Sequence, residues 1–173
     1  MEDKGTSKKL TRVTGGEPES TTVTTPFVAT AESKAKAKQL RLLSIVCWIV
    51  AIGFEVMAIL WLRKVPINMT LLIVFIVADL IFAVIGNLVW KQSNRLDPAS
   101  VKDQVKFFVQ NQLGMIISVI AFLPLVILIF TNKNMSGKQK GIVGSIAAIA
   151  LVIAGYTGTD FNPPSQEQYS KQT

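Results

Sequence analysis

The sequence contains no histidine and only one cysteine, Cys47, among its 173 residues. Histidine and cysteine supply most of the ligands of zinc, haem iron and iron–sulfur clusters, so a metal centre of these kinds has almost no donors available. A lone cysteine cannot form a disulfide within the chain, and it gives no information about the redox compartment. The composition therefore predicts no cofactor and no metal site.

Sequence motifs of catalysis are also missing. The chain has no phosphate-binding glycine loop, and no nucleophile stands in a recognisable catalytic motif with a base. Two acids inside apolar segments, Glu55 and Asp79, could in principle form a catalytic dyad, but neither belongs to such a motif. We therefore predict that the protein is not an enzyme. We assign no catalytic or cofactor-binding residue and expect no nucleic-acid partner.

Charged residues are nearly absent from four long segments of the chain. Half of all residues are hydrophobic, and the mean hydropathy is +0.43. A helix needs about 20 residues to cross a hydrocarbon layer about 30 Å thick. Spans are predicted at about 41–62, 69–90, 107–131 and 141–157, the last of which requires lengthening or local bilayer thinning. Short loops make consecutive helices neighbours, so we predict an all-α integral membrane protein, an antiparallel four-helix transmembrane bundle at residues 39–158.

The N-terminal region, residues 1–38, is rich in Thr, Ser, Lys, Gly and Glu and has little apolar surface to bury. We predict that it is a disordered basic tail. Helix-forming residues near its end predict that the first helix begins near Thr30. Four basic residues stand just before the first span: Lys34, Lys36, Lys38 and Arg41. They act as a topology signal, and they can also contact anionic lipid headgroups at about 1 kcal/mol for each charge.

Lysine and arginine are more frequent on the side of the two chain termini than in the two opposite loops. Because positively charged loops stay on the inner side of a membrane, we predict that both termini are cytoplasmic and that the protein lies in the cell membrane. On the same side, Asp97 and Pro98 suit a helix start, which predicts an interfacial helix at 98–106. Residues 159–173 are predicted to form a short polar tail.

Two carboxylic acids interrupt the first two spans. Glu55 lies within the apolar segment from Trp48 to Leu62, and Asp79 lies in the next one. An ionised carboxylate at mid-bilayer costs roughly 2.5–3.5 kcal/mol, and no span contains a Lys, Arg or His that could neutralise it. Helical spacing turns both acids toward the interior. They are therefore protonated and hydrogen-bonded within the bundle, in contact with water, or part of a proton or cation site.

Other polar and small residues also fall on single helix faces. Three of them are predicted to make polar contacts inside the bundle: Asn87, Asn111 and Ser118. We expect Asn87 and Asn111 to approach one another near the inner membrane boundary and to hydrogen-bond across helices. The last span carries small residues at four-residue spacing, which allows close helix packing in membranes: Gly144 with Ala148, and Ala150 with Ala154.

The segment "WIVAIGFEVMAILWL" around Glu55 resembles the first helix of the small multidrug resistance transporters. That resemblance implies a membrane-embedded glutamate that exchanges protons for cationic drugs in a four-helix subunit. The family lacks a long polar tail and an acid at mid-bilayer in its second helix. Its third-helix signature of Gly, Tyr and Trp is missing from the third span here. We therefore do not assign the chain to this family, and only the role of a buried carboxylate is carried over as an analogy.

Two functions are compatible with these features. The leading one is a small accessory or scaffold subunit that packs against partner membrane proteins. On this hypothesis the buried acids are structural and the small-residue faces and tails make the contacts. The alternative is an oligomeric proton- or cation-coupled transporter or channel in which Glu55 and Asp79 carry the proton or cation. Another membrane protein, a second copy of the chain and the lipid bilayer are the expected partners.

Overall fold

The structure is a computed structural model, and it describes residues 29–167. Four helices follow one another along the described chain: α1 (Ala31–Leu62), α2 (Met69–Leu96), α3 (Gln104–Thr131) and α4 (Gly137–Gly158). The described part contains no strand, only a parallel β-bridge between Ala99 and Ser165. The predicted all-helical class is confirmed. The first 28 residues of the tail predicted at 1–38 and the last residues, 168–173, lie outside the described residues.

Each helix begins where a polar side chain satisfies a free backbone N–H group. The side chain of the residue before the helix accepts a hydrogen bond from the backbone amide three residues further along, at Thr30, Asn68, Asp103 and Ser136. Such caps stabilise helices by about 1 kcal/mol each. At α4 the side chain of Gln139 also accepts from the backbone of Ser136, which completes a capping box. The cap at Thr30 agrees with the helix start predicted from the sequence.

All four helices are long and apolar enough to cross a membrane. The shortest, α4, has 22 residues and is therefore about 33 Å long at 1.5 Å per residue. This exceeds the hydrocarbon thickness of about 30 Å. The fourth span is longer than the sequence predicts because the capping box starts the helix at Gly137, ahead of the apolar segment.

Helix α2 lies at the centre of the packing. It contacts each of the other three helices, whereas α1 and α4 do not touch one another. Large apolar side chains fill the end of the bundle where α1 and α3 finish: Leu72, Ile76, Phe122, Leu125, Ile129 and Val143. The other end contains the polar contacts described below.

The loop between α2 and α3 differs from the sequence prediction. An interfacial helix was expected at 98–106, but α3 begins at Gln104, with Asp103 as its cap. The backbone carbonyl of Asp97 accepts hydrogen bonds from Arg41 and Gln110 instead of starting a helix. The chain before α3 is therefore an extended turn. On the N-terminal side, residues 31–38 of the predicted tail are the first turns of α1.

The segment after α4 folds back against this turn. The backbone N–H of Gln166 donates to the carbonyl of Ala99 over 3.1 Å. The carboxylate of Glu167 accepts from the hydroxyl of Ser100 and from the amide of Val101. These hydrogen bonds, above all that from Ser100, hold the pKa of Glu167 below its ordinary value. The described part of the C-terminal tail is thus docked on the body of the protein.

Candidate functional site

Glu55 on α1 and Asp79 on α2 are both buried, with 5% and 0% of their surface exposed. The two carboxyl groups are close enough to interact electrostatically. Their depth in the bundle follows from their place in the helices. Asp79 comes eight residues before Asn87 and Glu55 seven residues after Trp48, which puts the pair about 10–12 Å along the helix axes from the polar end.

Three oxygen atoms of this carboxyl pair lack hydrogen-bond partners. Glu55 Oε1, Asp79 Oδ1 and Asp79 Oδ2 are buried, and none of them bonds to another group in the part of the chain that the structure describes. A buried polar atom without a partner destabilises a fold by about 1–3 kcal/mol. A proton, a water molecule or a cation that bonded to these oxygens would therefore stabilise the fold.

Apolar side chains surround the pair above and below. On α1 the residues one turn away from Glu55 are Ala51 and Ala58, and on α2 those next to Asp79 are Ile76 and Ala83. All four are buried. Two carboxyl groups offer fewer oxygens than the roughly 6–8 that Ca²⁺ takes. The arrangement suits a proton, whereas a cation held here would need further ligands such as water.

Asn87 on α2 joins all four helices near the opposite end of the bundle. Its Oδ1 accepts a hydrogen bond of 3.0 Å from the indole N–H of Trp48 on α1. Its Nδ2 donates to Ser118 Oγ on α3 at 3.0 Å and to the carbonyl of Ala154 on α4 at 2.9 Å. Asn87 Nδ2 also donates to Thr157 Oγ1 on α4 at 3.2 Å. We call this cluster the Asn87 hub: Trp48, Asn87, Ser118, Ala154 and Thr157.

Glycines allow the helices to come this close. A Cβ atom on Gly86 would lie 2.6 Å from the Trp48 ring, and one on Gly114 would lie 2.8 Å from Asn87 Oδ1 and 3.0 Å from the Cα of Gly158. Gly158 in turn lies against the backbone of Gly114. The hub can therefore form in this geometry only with glycine at positions 86, 114 and 158.

The hydrogen bond that the sequence predicts between Asn87 and Asn111 does not form. Asn111 Nδ2 donates to the carbonyl of Phe107 in its own helix at 2.8 Å, and its buried Oδ1 has no partner among the described residues. The indole of Trp48 occupies the Asn87 oxygen, and the Asn87 amide hydrogens point toward Ser118 and Ala154. Trp48 was the residue that sequence reasoning missed, although a buried indole N–H generally needs an acceptor.

The small residues of α4 pack mainly inside the chain. Gly144 lies directly under the ring of Phe130, and Ala150 and Ala154 are buried in the core. Ala148 is only half-buried. Gly141 and Gly155 have open space where a side chain would be. Small residues therefore remain on the outside of α4 around the exposed Val152, and we call this surface the outer α4 stripe: Gly141, Ser145, Ala148 and Gly155.

The basic residues ahead of the first span do not form one uniform patch. Lys34, Lys36 and Lys38 are exposed on the first turns of α1. Arg41 is half-buried: its Nη2 donates to the Asp97 carbonyl at 3.0 Å. Its guanidinium also lies 5.8 Å from the centre of the Trp90 ring. Arg41 is thus part of the folded body, and Trp90 is its aromatic partner.

The chain matches no protein-family model, no curated protein sequence and no solved structure. The buried carboxyl pair, the Asn87 hub and the outer α4 stripe are the features that bear on its function.

Proposed function

We propose that the chain is an integral protein of the cell membrane whose four helices cross the bilayer as an antiparallel bundle with both termini cytoplasmic. Contacts between helix ends support this arrangement. Arg41 near the start of the first span bonds to Asp97 after the end of α2. At the opposite end, Asn132 after α3 donates to the carbonyl of Leu62, the last residue of α1, at 3.1 Å. The excess of Lys and Arg at the first of these ends supports its cytoplasmic location.

Within the membrane, the protein acts as a small accessory or scaffold subunit that packs against a partner membrane protein. The observation that carries this proposal is the outer α4 stripe, which the chain's own packing leaves uncovered. Small residues on the outside of a membrane helix allow another helix to approach closely and to gain van der Waals contact. Helix α4 has free surface for such a neighbour because it contacts only α2 and α3.

The test is purification of the full-length protein in a mild detergent, with co-purifying proteins identified by mass spectrometry. Ala148→Leu and Gly155→Leu are expected to remove a stoichiometric partner while leaving the fold intact. Val74→Leu is the matched control, since Val74 is 52% exposed on α2 and lies away from the stripe. Absence of any stoichiometric partner, or its retention in both stripe variants, would contradict the proposal. Gly144→Leu is unsuitable because it would collide with Phe130.

A second candidate function is a proton- or cation-coupled transporter or channel. The three unpaired carboxyl oxygens of Glu55 and Asp79 favour it, because they are buried without a cationic side chain to neutralise them. Intramembrane acids of this kind commonly belong to proton relays or ion pathways. A helix interface that opens around the pair would expose it to one side of the membrane at a time.

Reconstituted vesicles test this second function. An imposed pH gradient should drive uptake of a fluorescent organic cation such as ethidium into vesicles that contain the parent protein. Glu55→Gln and Asp79→Asn should abolish that uptake, while Glu32→Gln, an exposed change on the same helix, should not affect it. If the parent protein shows no pH-driven uptake of ethidium or of alkali cations, this candidate is wrong and the carboxyl pair is structural.

A further inference from the structure

A groove lies where α1, α2 and α3 meet, at the end of the bundle that we propose to be cytoplasmic. It is open to the surroundings, and its volume is about 290 Å³. Its walls carry two cationic residues, an indole, an amide and two aliphatic side chains: Arg41, Trp90, Lys106, Val109, Gln110 and Leu113. The cations lie toward the chain termini, and Val109 and Leu113 follow toward the middle of α3. The groove is therefore polar at one end and apolar at the other.

The walls of the groove are held in place by hydrogen bonds. The Trp90 indole donates to the carbonyl of Gln110 at 2.7 Å, and the Trp90 ring lies 5.2 Å from that of Trp48. Gln110 Nε2 donates to the carbonyl of Asp97 at 3.1 Å. A binding surface that is already ordered loses less entropy when a ligand binds. The Trp90 indole and the Arg41 guanidinium, which lie at the polar end of the groove, are therefore in place before a ligand binds.

The charges around the groove favour an anion. Asp97 offsets part of the Arg41 charge, since its carboxylate lies 3.5 Å from Arg41 Nη1. Lys106 is exposed and has no such partner among the ion pairs of the described residues. Lys38 is exposed on α1 three residues before Arg41 and adds positive charge near this end of the groove. Two of the five donors of the Arg41 guanidinium are used by Asp97, so others remain for a ligand.

We propose that this groove binds one anionic phospholipid. The phosphate lies between Lys106 and Arg41, and an acyl chain runs along Val109 and Leu113 into the membrane. Basic pockets between transmembrane helices on the cytoplasmic side bind anionic headgroups in this way, and Trp at the membrane interface suits the headgroup level. The groove volume fits a headgroup, while the acyl chains remain in the bilayer. This inference depends on the membrane insertion and orientation proposed above.

The test uses the full-length protein in phosphatidylcholine vesicles doped with phosphatidylglycerol, followed by native mass spectrometry of retained lipid. Lys106→Gln should weaken retention of phosphatidylglycerol about fivefold, the effect of one Lys or Arg near an anionic lipid surface. Val109→Trp should fill the groove and remove the preference for phosphatidylglycerol over phosphatidylcholine. The matched controls are Lys102→Gln and Val105→Trp, exposed neighbours on the same side that do not line the groove. They should retain more phosphatidylglycerol than Lys106→Gln and Val109→Trp, because their side chains do not contact a lipid in the groove.

Equal losses in Lys102→Gln and Lys106→Gln would show adsorption to a charged surface and would overturn the groove. Retention of phosphatidylglycerol by Val109→Trp would do the same. Binding of glycerol phosphate as tight as that of the lipid would show that a soluble phosphate ester is the ligand. Alkaline carbonate extraction is carried out first on every variant. Protein released by carbonate contradicts the membrane assignment, whereas protein that stays inserted without lipid preference contradicts only the groove.

Discussion

The indole N–H of Trp48 donates a hydrogen bond of 3.0 Å to Oδ1 of Asn87, and through this contact α1 joins a cluster that includes every helix of the bundle. Asn87 is 1% exposed, so each of its hydrogen bonds replaces one that water would otherwise make. Asn87 is consequently the polar side chain on which the arrangement of the four helices depends most.

Removal of the Asn87 amide should destabilise the protein. Asn87→Leu leaves the Trp48 N–H and the Ser118 hydroxyl with fewer partners, and we expect a loss of about 1–3 kcal/mol. Trp48→Phe removes the donor and keeps most of the ring. In a double-mutant cycle measured by denaturation in mixed micelles, the two changes should be non-additive by about 0.5–2 kcal/mol. Additive losses would mean that the two side chains do not interact in the folded protein.

Two glycines should respond in opposite directions to alanine. At Gly114 the new methyl would lie 2.8 Å from Asn87 Oδ1, so Gly114→Ala should destabilise the protein by about 1–3 kcal/mol. Gly53 has no atom within 4 Å of the corresponding position. Gly53→Ala should therefore be neutral or stabilising by up to about 1 kcal/mol, because alanine favours helix. Thermal unfolding in detergent measures both, and a tolerated Gly114→Ala would mean that α3 and α4 are further apart.

The buried acid pair makes a prediction about stability that is independent of transport. Both oxygens of Asp79 lack hydrogen-bond partners, so replacement by the similarly sized, apolar Leu should stabilise the protein by about 1–3 kcal/mol. Replacement of Asp103, a helix cap, by Ala should instead destabilise it by about 1 kcal/mol. A large loss of stability in Asp79→Leu would show that Asp79 is a structural hydrogen-bonding residue in the membrane.

Docking of the C-terminal segment should depend on pH. Hydrogen bonds from Ser100 and Val101 lower the pKa of Glu167 from its ordinary value of 4.5. Because the folded-state pKa is lower than the unfolded one, the contact is fully stabilising above pH 4.5 and is lost as the pH falls through the lowered value. Amide exchange is itself slower at acidic pH, so the quantity to compare is the protection factor, the intrinsic exchange rate at each pH divided by the observed rate. Protection factors at residues 160–167 should therefore fall on acidification in the parent protein.

Glu167→Gln provides the comparison for this experiment. The amide cannot titrate, so protection factors at residues 160–167 should be lower than in the parent at neutral pH and should change little between neutral and acidic pH. Glu32→Gln is the control for a general charge effect, because Glu32 is exposed and lies on the first turn of α1. An identical pH response in the parent and in Glu167→Gln would assign the pH dependence to another group.

The small residues of α4 show which part of helix packing the spacing along one helix predicts and which part it does not. Spacing alone groups Gly144 with Ala148 and Ala150 with Ala154, but it does not tell which partner each pair meets. In the structure Gly144 packs under Phe130 within the chain, while Ala148 stays on the outer surface with Gly141 and Gly155. The partner depends on how α4 is rotated against α3, and that rotation is set by contacts between distant segments.

The sequence by itself determined the four helices, their approximate limits and the inward direction of Glu55 and Asp79. These features depend on local properties: continuous apolar segments, capping side chains such as Thr30 and Ser136, and the helical repeat. Only the tertiary structure decided that Asn87 pairs with Trp48 and Ser118 instead of Asn111, that α3 begins at Gln104, and that Glu167 docks on Ser100. Each of these depends on the relative depth and rotation of separate segments, which the packing of the whole bundle determines.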